Sequence, residues 1–432
     1  MVKSSKTNAF NPSPDFPLVN WFSLAFRNLL RNARRSITTI AAVALGYAAV
    51  NILGGFATYM FVSIREAFIY DQANGHVQVW KEGARTYGGS DPGAYLLSAE
   101  EFAEIKAFAE TDPRVILAAG MLEVKGNLDH DGVPAFFLSR AMTPSDQEVF
   151  YEAATSLRSR NNARYRGKPI TDQTPFGIGI TEGMAENLKL EIGGNVILMA
   201  PTVQGQMNAA DAEIYQVMDM PAEALNGKLI FMPLELAHTL YDTGGVSSVK
   251  LLLKNQKDTD AVVAELKAKF PDKKWDTLPW YEVSELYNRT KRMFDIIFGL
   301  VFVIIITIVT MSVVNTIGMA VIERTREIGT LRAIGLKRPG VIRLFGIESA
   351  LLGLIGAFLG LLITVSFSLI VAAAKPLWNP PLTTRAVIWQ IKLVPDYLIL
   401  TFVLLVIFTF LAAIMPARRA AWRGIVDSLG HV

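Results

Sequence analysis

The sequence predicts an α-helical membrane protein of four transmembrane helices, with a large α/β extracytoplasmic domain inserted between the first and second spans. Three observations predict it. Hydrophobic residues make up 51% of the 432 and charged residues only 19%, with a mean hydropathy of +0.32, too apolar for an ordinary soluble chain. Four stretches reach the roughly 20 apolar residues that a helix needs to cross a hydrocarbon core. Basic residues crowd the ends of those stretches, whereas the long segment after the first is acidic.

Residues 1–17, MVKSSKTNAFNPSPDFP, lack an apolar core and a small-residue cleavage site, so they read as a flexible tail rather than a secretory signal. Residues 18–35 put Phe22, Phe26, Leu29 and Ala33 on one helical stripe and arginines on the remainder, the pattern of a helix lying among lipid headgroups or extending the first span. The first span, Ser36–Val62, then serves as its own insertion signal. The other three are expected at Asp295–Ile322, Gly346–Ala374 and Asp396–Met415. None carries a charge in its middle, and backbone groups in a bilayer must be bonded internally, so each is expected to be a helix.

Charge sets the orientation, because basic residues near span ends stay on the cytoplasmic side. Arg27, Arg31, Arg34 and Arg35 precede the first span with no acid among them. Residues 323–345, between spans two and three, hold Arg324, Arg326, Arg332, Lys337, Arg338 and Arg343 against Glu323 and Glu327. The segment 416–432 after the fourth span holds Arg418, Arg419 and Arg423 against Asp427. Residues 67–292 are the reverse, with 23 Lys plus Arg against 31 Asp plus Glu. Both termini and the 323–345 link are therefore expected in the cytoplasm, and residues 67–292 and the 375–395 loop outside.

The outer segment is long enough to bury a core of its own. Strands are expected at His76–Trp80, Val115–Lys125 and Val133–Arg140, with a helix at Ser98–Glu110 opened by Ser98 and Glu101. The scheme recurs as a strand at Val246–Lys254, a helix at Asp258–Phe270 and a strand at Trp275–Val283. This implies two α/β lobes, about 67–175 and 235–292, packed side by side. A β-rich subdomain, about 176–234, is expected between them, with a short helix at Glu182–Leu188 and a turn at Gly193–Gly194.

Catalytic chemistry is excluded on several counts. There is no cysteine, so no disulfide and no thiolate metal site. His76, His130, His238 and His431 are scattered without zinc-binding spacing, and no glycine pair is followed by the Lys-Ser/Thr of a phosphate loop. The chain is expected to bind no metal, cofactor or nucleic acid. Well inside the spans the only polar groups are Tyr47, Asn51, Asn315 and hydroxyls, which speaks against coupling to an ion gradient. Gly353, Gly356 and Gly360 lie along one side of the third span, a small-residue surface for a helix of the same bundle or of another chain.

The segment ERTREIGTLRAIG, Glu323–Gly335, is the most informative. Alternating acids and bases with Ile328, Leu331 and Ile334 on one stripe suit a short amphipathic helix, either a linker at the lipid surface or a foot for a partner's groove.

Extended to Ser349, that segment resembles the region after the second membrane helix in FtsX/MacB-type (type VII) ABC transporter permeases. LAFRNLLRNARRSITTIAAVALG at Leu24–Gly46 resembles the family's entry, and MPARRAAWRGIVDSLG its close. GHVQVW from Gly75 is similar to the first outer strand of the lipoprotein-releasing relatives. GIGITEGMAENLKLEIGGNVILM resembles the middle subdomain, with Gly194 where an aspartate is common.

The resemblance implies a non-catalytic permease of the bacterial inner membrane. It would work as a homodimer or heterodimer with two copies of a separate ABC ATPase that uses ATP and Mg, unlike the macrolide exporters, in which the ATPase is fused. It carries the coupling helix over to Glu323, Arg324, Arg326, Glu327, Gly329, Leu331, Arg332 and Gly335, which would dock on the ATPase. Mechanotransmission through spans one and two would move the outer domain, for lipoprotein release or extraction of lipids and other amphiphiles, with a periplasmic carrier or adaptor as a further partner besides membrane lipids. The competing expectations are export of a peptide, antibiotic or hydrophobic compound, and regulation of a cell-wall hydrolase, against which the size of the outer domain speaks. A membrane-anchored binding protein without ATP coupling is the remaining one.

Overall fold

Apolar runs of helical length and alternating runs of strand length fold apart from one another in the computed structural model, which describes residues 18–31, 33–154, 165–218, 225–378 and 387–429. The tail expected at 1–17 lies outside the described residues. One unit comprises Met1–Tyr59, Phe294–Lys375 and Gln390–Val432, the other Met60–Met293 and Pro376–Trp389. The class is the expected one, with four long apolar helices and a large mixed α/β domain between the first and the second.

The chain opens with α1 (Leu18–Arg31) and α2 (Ala33–Glu66). The domain then runs through β1 (Val77–Lys81), α3 (Ala99–Thr111), β2 (Val115–His130), β3 (Val133–Met142), α4 (Pro144–Glu152) and β4 (Tyr165–Gly167). It continues with β5 (Gly177–Thr181), α5 (Glu182–Leu188), β6 (Asn195–Pro201), β7 (Met207–Met218), β8 (Leu229–Phe231) and α6 (Leu234–Tyr241). β9 (Ser248–Leu253), α7 (Thr259–Lys269) and β10 (Trp275–Pro279) close it. The second half of the chain holds α8 (Glu285–Glu323), α9 (Thr325–Ala333), α10 (Arg338–Ala374), the short pair β11 (Leu377–Trp378) and β12 (Val387–Ile388), α11 (Pro395–Trp422) and α12 (Ile425–Leu429).

In the α/β unit all ten of β1–β10 join one sheet, in the order β10-β1-β9-β2-β3-β8-β5-β7-β4, with β6 bonded to β2 and β7. The two α/β segments expected side by side therefore share a sheet. β1, from the first, lies antiparallel between β9 and β10 from the last, with Gln78 opposite Lys250 and Leu278. Periodicity reveals each strand but not its neighbour, since pairing across some 170 residues is decided by which faces can be buried together. β2 is 16 residues long rather than the 11 expected, because it pairs with β9 at one end and with β3 and β6 at the other.

One sheet face packs on α3, α6 and α7 through residues such as Leu97, Ile105, Leu122, Val249, Leu251, Val262 and Leu266. The other buries Ile69, Met121, Met142, Phe150, Leu252 and Trp280. Helix α3 begins where the Ser98/Glu101 pattern predicts. The Ser98 hydroxyl accepts from Glu101 N–H and the Glu101 carboxylate accepts from Ser98 N–H, which satisfies two otherwise orphaned donors.

In the helical unit, Val43 and Tyr47 of α2, Val313 and Ile317 of α8, Phe345 and Ala357 of α10 and Leu405 and Ala413 of α11 form the core. Helix α1 packs on α10, burying Ala25 and Leu29 while Phe22, Phe26 and Leu30 stay exposed. Polar groups are paired across helices: Tyr47 OH donates to the Leu398 carbonyl at 2.9 Å and Asn51 Nδ2 to Thr401 Oγ1 at 3.0 Å. Ser349 Oγ donates to the Thr409 carbonyl at 2.6 Å. Among the four apolar helices α8 is the least covered, with 11% of its most apolar window buried against 44% for α2.

Candidate coupling site

The glycines of α10 decide how closely the bundle closes. A Cβ at Gly353 would stand 2.1 Å from Thr409 Oγ1 on α11. One at Gly356 would stand 2.6 Å from the Val43 side chain, and one at Gly360 2.6 Å from the Ala44 carbonyl oxygen, both on α2. The three thus face two different helices of the same chain.

Helix α9 follows α8 after a break at Arg324, whose backbone (φ −107°, ψ 18°) is not helical. The break turns the chain, and the Thr325 hydroxyl seals it by donating to the carbonyls of Val321 and Ile322 at 2.9 and 3.0 Å. At the far end Gly335 takes φ +116°, a conformation that a side chain would strain, and ends the segment before Lys337 leads into α10.

Two faces result. Thr325, Ile328 and Gly329 are buried, with Ile328 in the bundle core. Glu323, Arg326, Glu327, Thr330, Ile334 and Gly335 are exposed. Leu331 and Arg332 are half-buried, and Arg332 donates to the Arg423 carbonyl just before α12, against which α9 packs. Ile334 departs from the expected apolar stripe: it is 80% exposed, because the helix ends at Ala333 and the chain no longer returns that position to the bundle.

Arg324 faces inward with only 10% of its side chain exposed. Its Nε and Nη2 donate to the two carboxylate oxygens of Glu327 at 2.9 and 3.0 Å, a two-pronged pair that holds the Glu327 carboxyl below the usual carboxylate range. Its Nη1 lies 3.6 Å from Glu348 Oε2 on α10. Nearby, Arg35 of α2 pairs with Glu323, Arg338 stacks 4.2 Å over the Trp422 ring and Arg423 Nη1 donates to Thr325 Oγ1 at 3.5 Å. Sequence reasoning did not single out Arg35, Thr325, Glu348 or Arg423 for this site. A signal for Glu348 existed, an acid two residues inside an apolar run.

The arrangement has no nucleophile, metal cluster or phosphate cradle among the described residues. It offers one charged, solvent-facing helix surface fixed to a helical bundle by its opposite face.

Comparison with known proteins bears on what such a surface serves. The model of the MacB-like periplasmic core domain matches residues 36–269, and that of the FtsX-like permease C-terminal region matches 299–425. An uncharacterized ABC transporter permease of Methanocaldococcus jannaschii is 19% identical over 425 residues, covering 94% of this chain and 96% of its own. The macrolide export ATP-binding/permease protein MacB of Escherichia coli strain K12 is 33% identical over 149 residues, 34% of this chain. That match spans 21% of the MacB length. The solved periplasmic region of MacB from Actinobacillus actinomycetemcomitans covers 50% of this chain and 94% of its own, at 8% identity and a TM-score of 0.35.

Proposed function

We propose a function from one premise: this chain belongs to the FtsX/MacB-like ABC transporter permeases, with a MacB-like periplasmic core domain and an FtsX-like C-terminal region. It is a multi-pass membrane protein whose large domain lies outside the cytoplasm, and as a permease subunit it is non-catalytic and works with an ATPase. In the reading proposed here, the exposed face of α9 docks on that ATPase, a separate chain present in two copies and using ATP and Mg. Its motion passes along the first and second spans and moves the outer domain for lipoprotein release or extraction of lipid and other amphiphiles. The chain sits in a bacterial inner membrane with both termini in the cytoplasm.

The observation that carries the reading is the split of α9 into a face packed by Thr325, Ile328 and Gly329 and a face left open with Arg326, Glu327 and Thr330, flanked by exposed Glu323 before the helix and Ile334 at its end. A linker lying on lipid would keep its apolar residues toward the membrane and its charges apart. Here the exposed isoleucine flanks the charged open face, the mixture of apolar anchor and charged rim that protein interfaces use. A second permease, identical or related, is the partner proposed for α8, which leaves Ile304, Ile308 and Met311 exposed together with the Asn315 amide. A bare amide is costly in hydrocarbon and is relieved by a partner helix.

The test is recovery of an ATPase with the tagged full-length chain. Arg326→Glu combined with Ile334→Asp is expected to reduce that recovery at least tenfold without lowering the amount of folded permease. Undiminished recovery would refute α9 as the docking helix. Lipoprotein or lipid retention in the inner membrane after depletion separates extraction from its alternatives. Unchanged retention with lost resistance to a macrolide would favour export, the activity for which the MacB relatives are named. Unchanged retention with defective wall cleavage would favour an FtsX-like regulator of a hydrolase.

A further inference from the structure

Glu348 is 3% exposed on α10, and its Oε2 has no hydrogen-bond partner among the described residues. The hydroxyl of the next residue, Ser349 Oγ, donates to the Thr409 carbonyl. The cation facing it is Arg324, and the nitrogen turned toward it, Nη1, is likewise buried and without a hydrogen bond. The guanidinium is thus shared unequally between two helices, with two good bonds to Glu327 on α9 and an open 3.6 Å approach to Glu348 on α10.

Stability alone does not account for this pair. A buried carboxylate and a buried N–H left unbonded are both unfavourable, and apolar residues of similar volume would commonly serve as well or better. A charge pair held just short of contact does suit a part whose separation changes. Closing from 3.6 Å to the 2.7–2.9 Å of a charge-assisted hydrogen bond takes a movement below about 1 Å.

We propose that Glu348 is a positioning residue for ATP coupling: it captures the free N–H of Arg324 when the ATPase presses α9 toward the bundle, so that α10 moves with α9. Helix α10 bears directly on α2 through Gly356 against Val43 and Gly360 against Tyr47. Force then reaches the first span by contact as well as the second span by chain continuity. This rests on the reading of α9 as the ATPase-docking helix.

The experiment uses the full chain co-expressed with the ATPase that co-purifies with it. Because the chain has no cysteine, a single one placed at Asp131, whose side chain is 91% exposed in the outer domain, reports motion by its maleimide labelling rate with and without Mg-ATP. Glu348→Gln is expected to retain the ATPase within twofold of wild type while the Mg-ATP-dependent change in labelling falls at least tenfold. Retained ATPase with an undiminished labelling change would overturn the proposal. So would loss of the ATPase, which would make Glu348 part of docking rather than of transmission. If Glu348→Gln fails to fold, Glu348→Asp decides: it keeps the charge but withdraws it by one methylene, and a severalfold weaker response is expected, a full response being contrary. Failure of the wild-type chain to bind any ATPase would instead sink the docking reading.

Discussion

Gly353 faces Thr409 so closely that a methyl group on its α-carbon would stand 2.1 Å from the threonine Oγ1, well inside contact distance. Gly353→Ala must therefore push α10 and α11 apart, at a cost of about 1–3 kcal/mol for overpacking. Gly299 on α8 has nothing within 4 Å of such a methyl. There alanine gains up to about 1 kcal/mol of helix propensity. Thermal unfolding in detergent is expected to shift down for the first variant and to stay level or rise for the second. Equal shifts would contradict the packing.

His76 gives the outer domain a pH dependence. It is 1% exposed, and its Nδ1 accepts from the Leu253 N–H at 3.1 Å. Burial, with the Arg65 charge adding to it, lowers its pKa to about 4. The unfolded chain, with its histidine near 6.5, binds the proton more readily between these values, so stability falls as pH drops from about 6.5 toward 4 and is unaffected above. The loss amounts to about 3 kcal/mol at its limit. Chemical unfolding of the full chain at pH 7 and pH 4.5 checks this. His76→Gln, which keeps an acceptor but cannot titrate, is expected to flatten the difference.

Glu101 serves two partners at once, taking the Ser98 N–H on Oε2 at 2.9 Å and the Trp275 indole N–H on Oε1 at 2.9 Å. Loss of the cap alone, by Ser98→Ala, is expected to cost about 1 kcal/mol. Glu101→Ala leaves the Ser98 hydroxyl in place but removes the acceptor of the Ser98 N–H and also the tie to β10, and is expected to cost about 2 kcal/mol. Denaturant midpoints would show the order, and equal values would mean that the Trp275 bond contributes nothing.

Topology has a direct test, since any introduced cysteine is the chain's sole thiol. A membrane-impermeant maleimide added to intact cells with a permeable outer barrier should label Asp131→Cys and spare Ile334→Cys until the inner membrane is broken. The opposite pattern would invert the molecule.

Hydropathy locates the apolar cores of the four long helices but not where they stop. Helix α8 begins at Glu285, ten residues ahead of the apolar run at Asp295, because nothing obliges a helix to end where lipid does. Local signals served where the structure is local: the Ser98 cap and the Glu182–Leu188 helix could be read directly. Non-local pairing could not. The interleaving of β1 with β9 and β10 depends on partners far along the chain, and so does the meeting of Arg324 with Glu348 across the turn at Gly335. The glycine stripe announced a close approach on α10, whereas its division between α11 and α2 needed three dimensions.

The length of β2 has mechanical weight. At about 3.3 Å per residue its 16 residues make a rod roughly 50 Å long, bonded to β9 at one end and to β6 at the other. Such a rod cannot fold in its middle without surrendering ladder bonds to β3. A tilt applied at one end of it therefore carries to the other. Any give must come from shorter members, such as the three-residue β8.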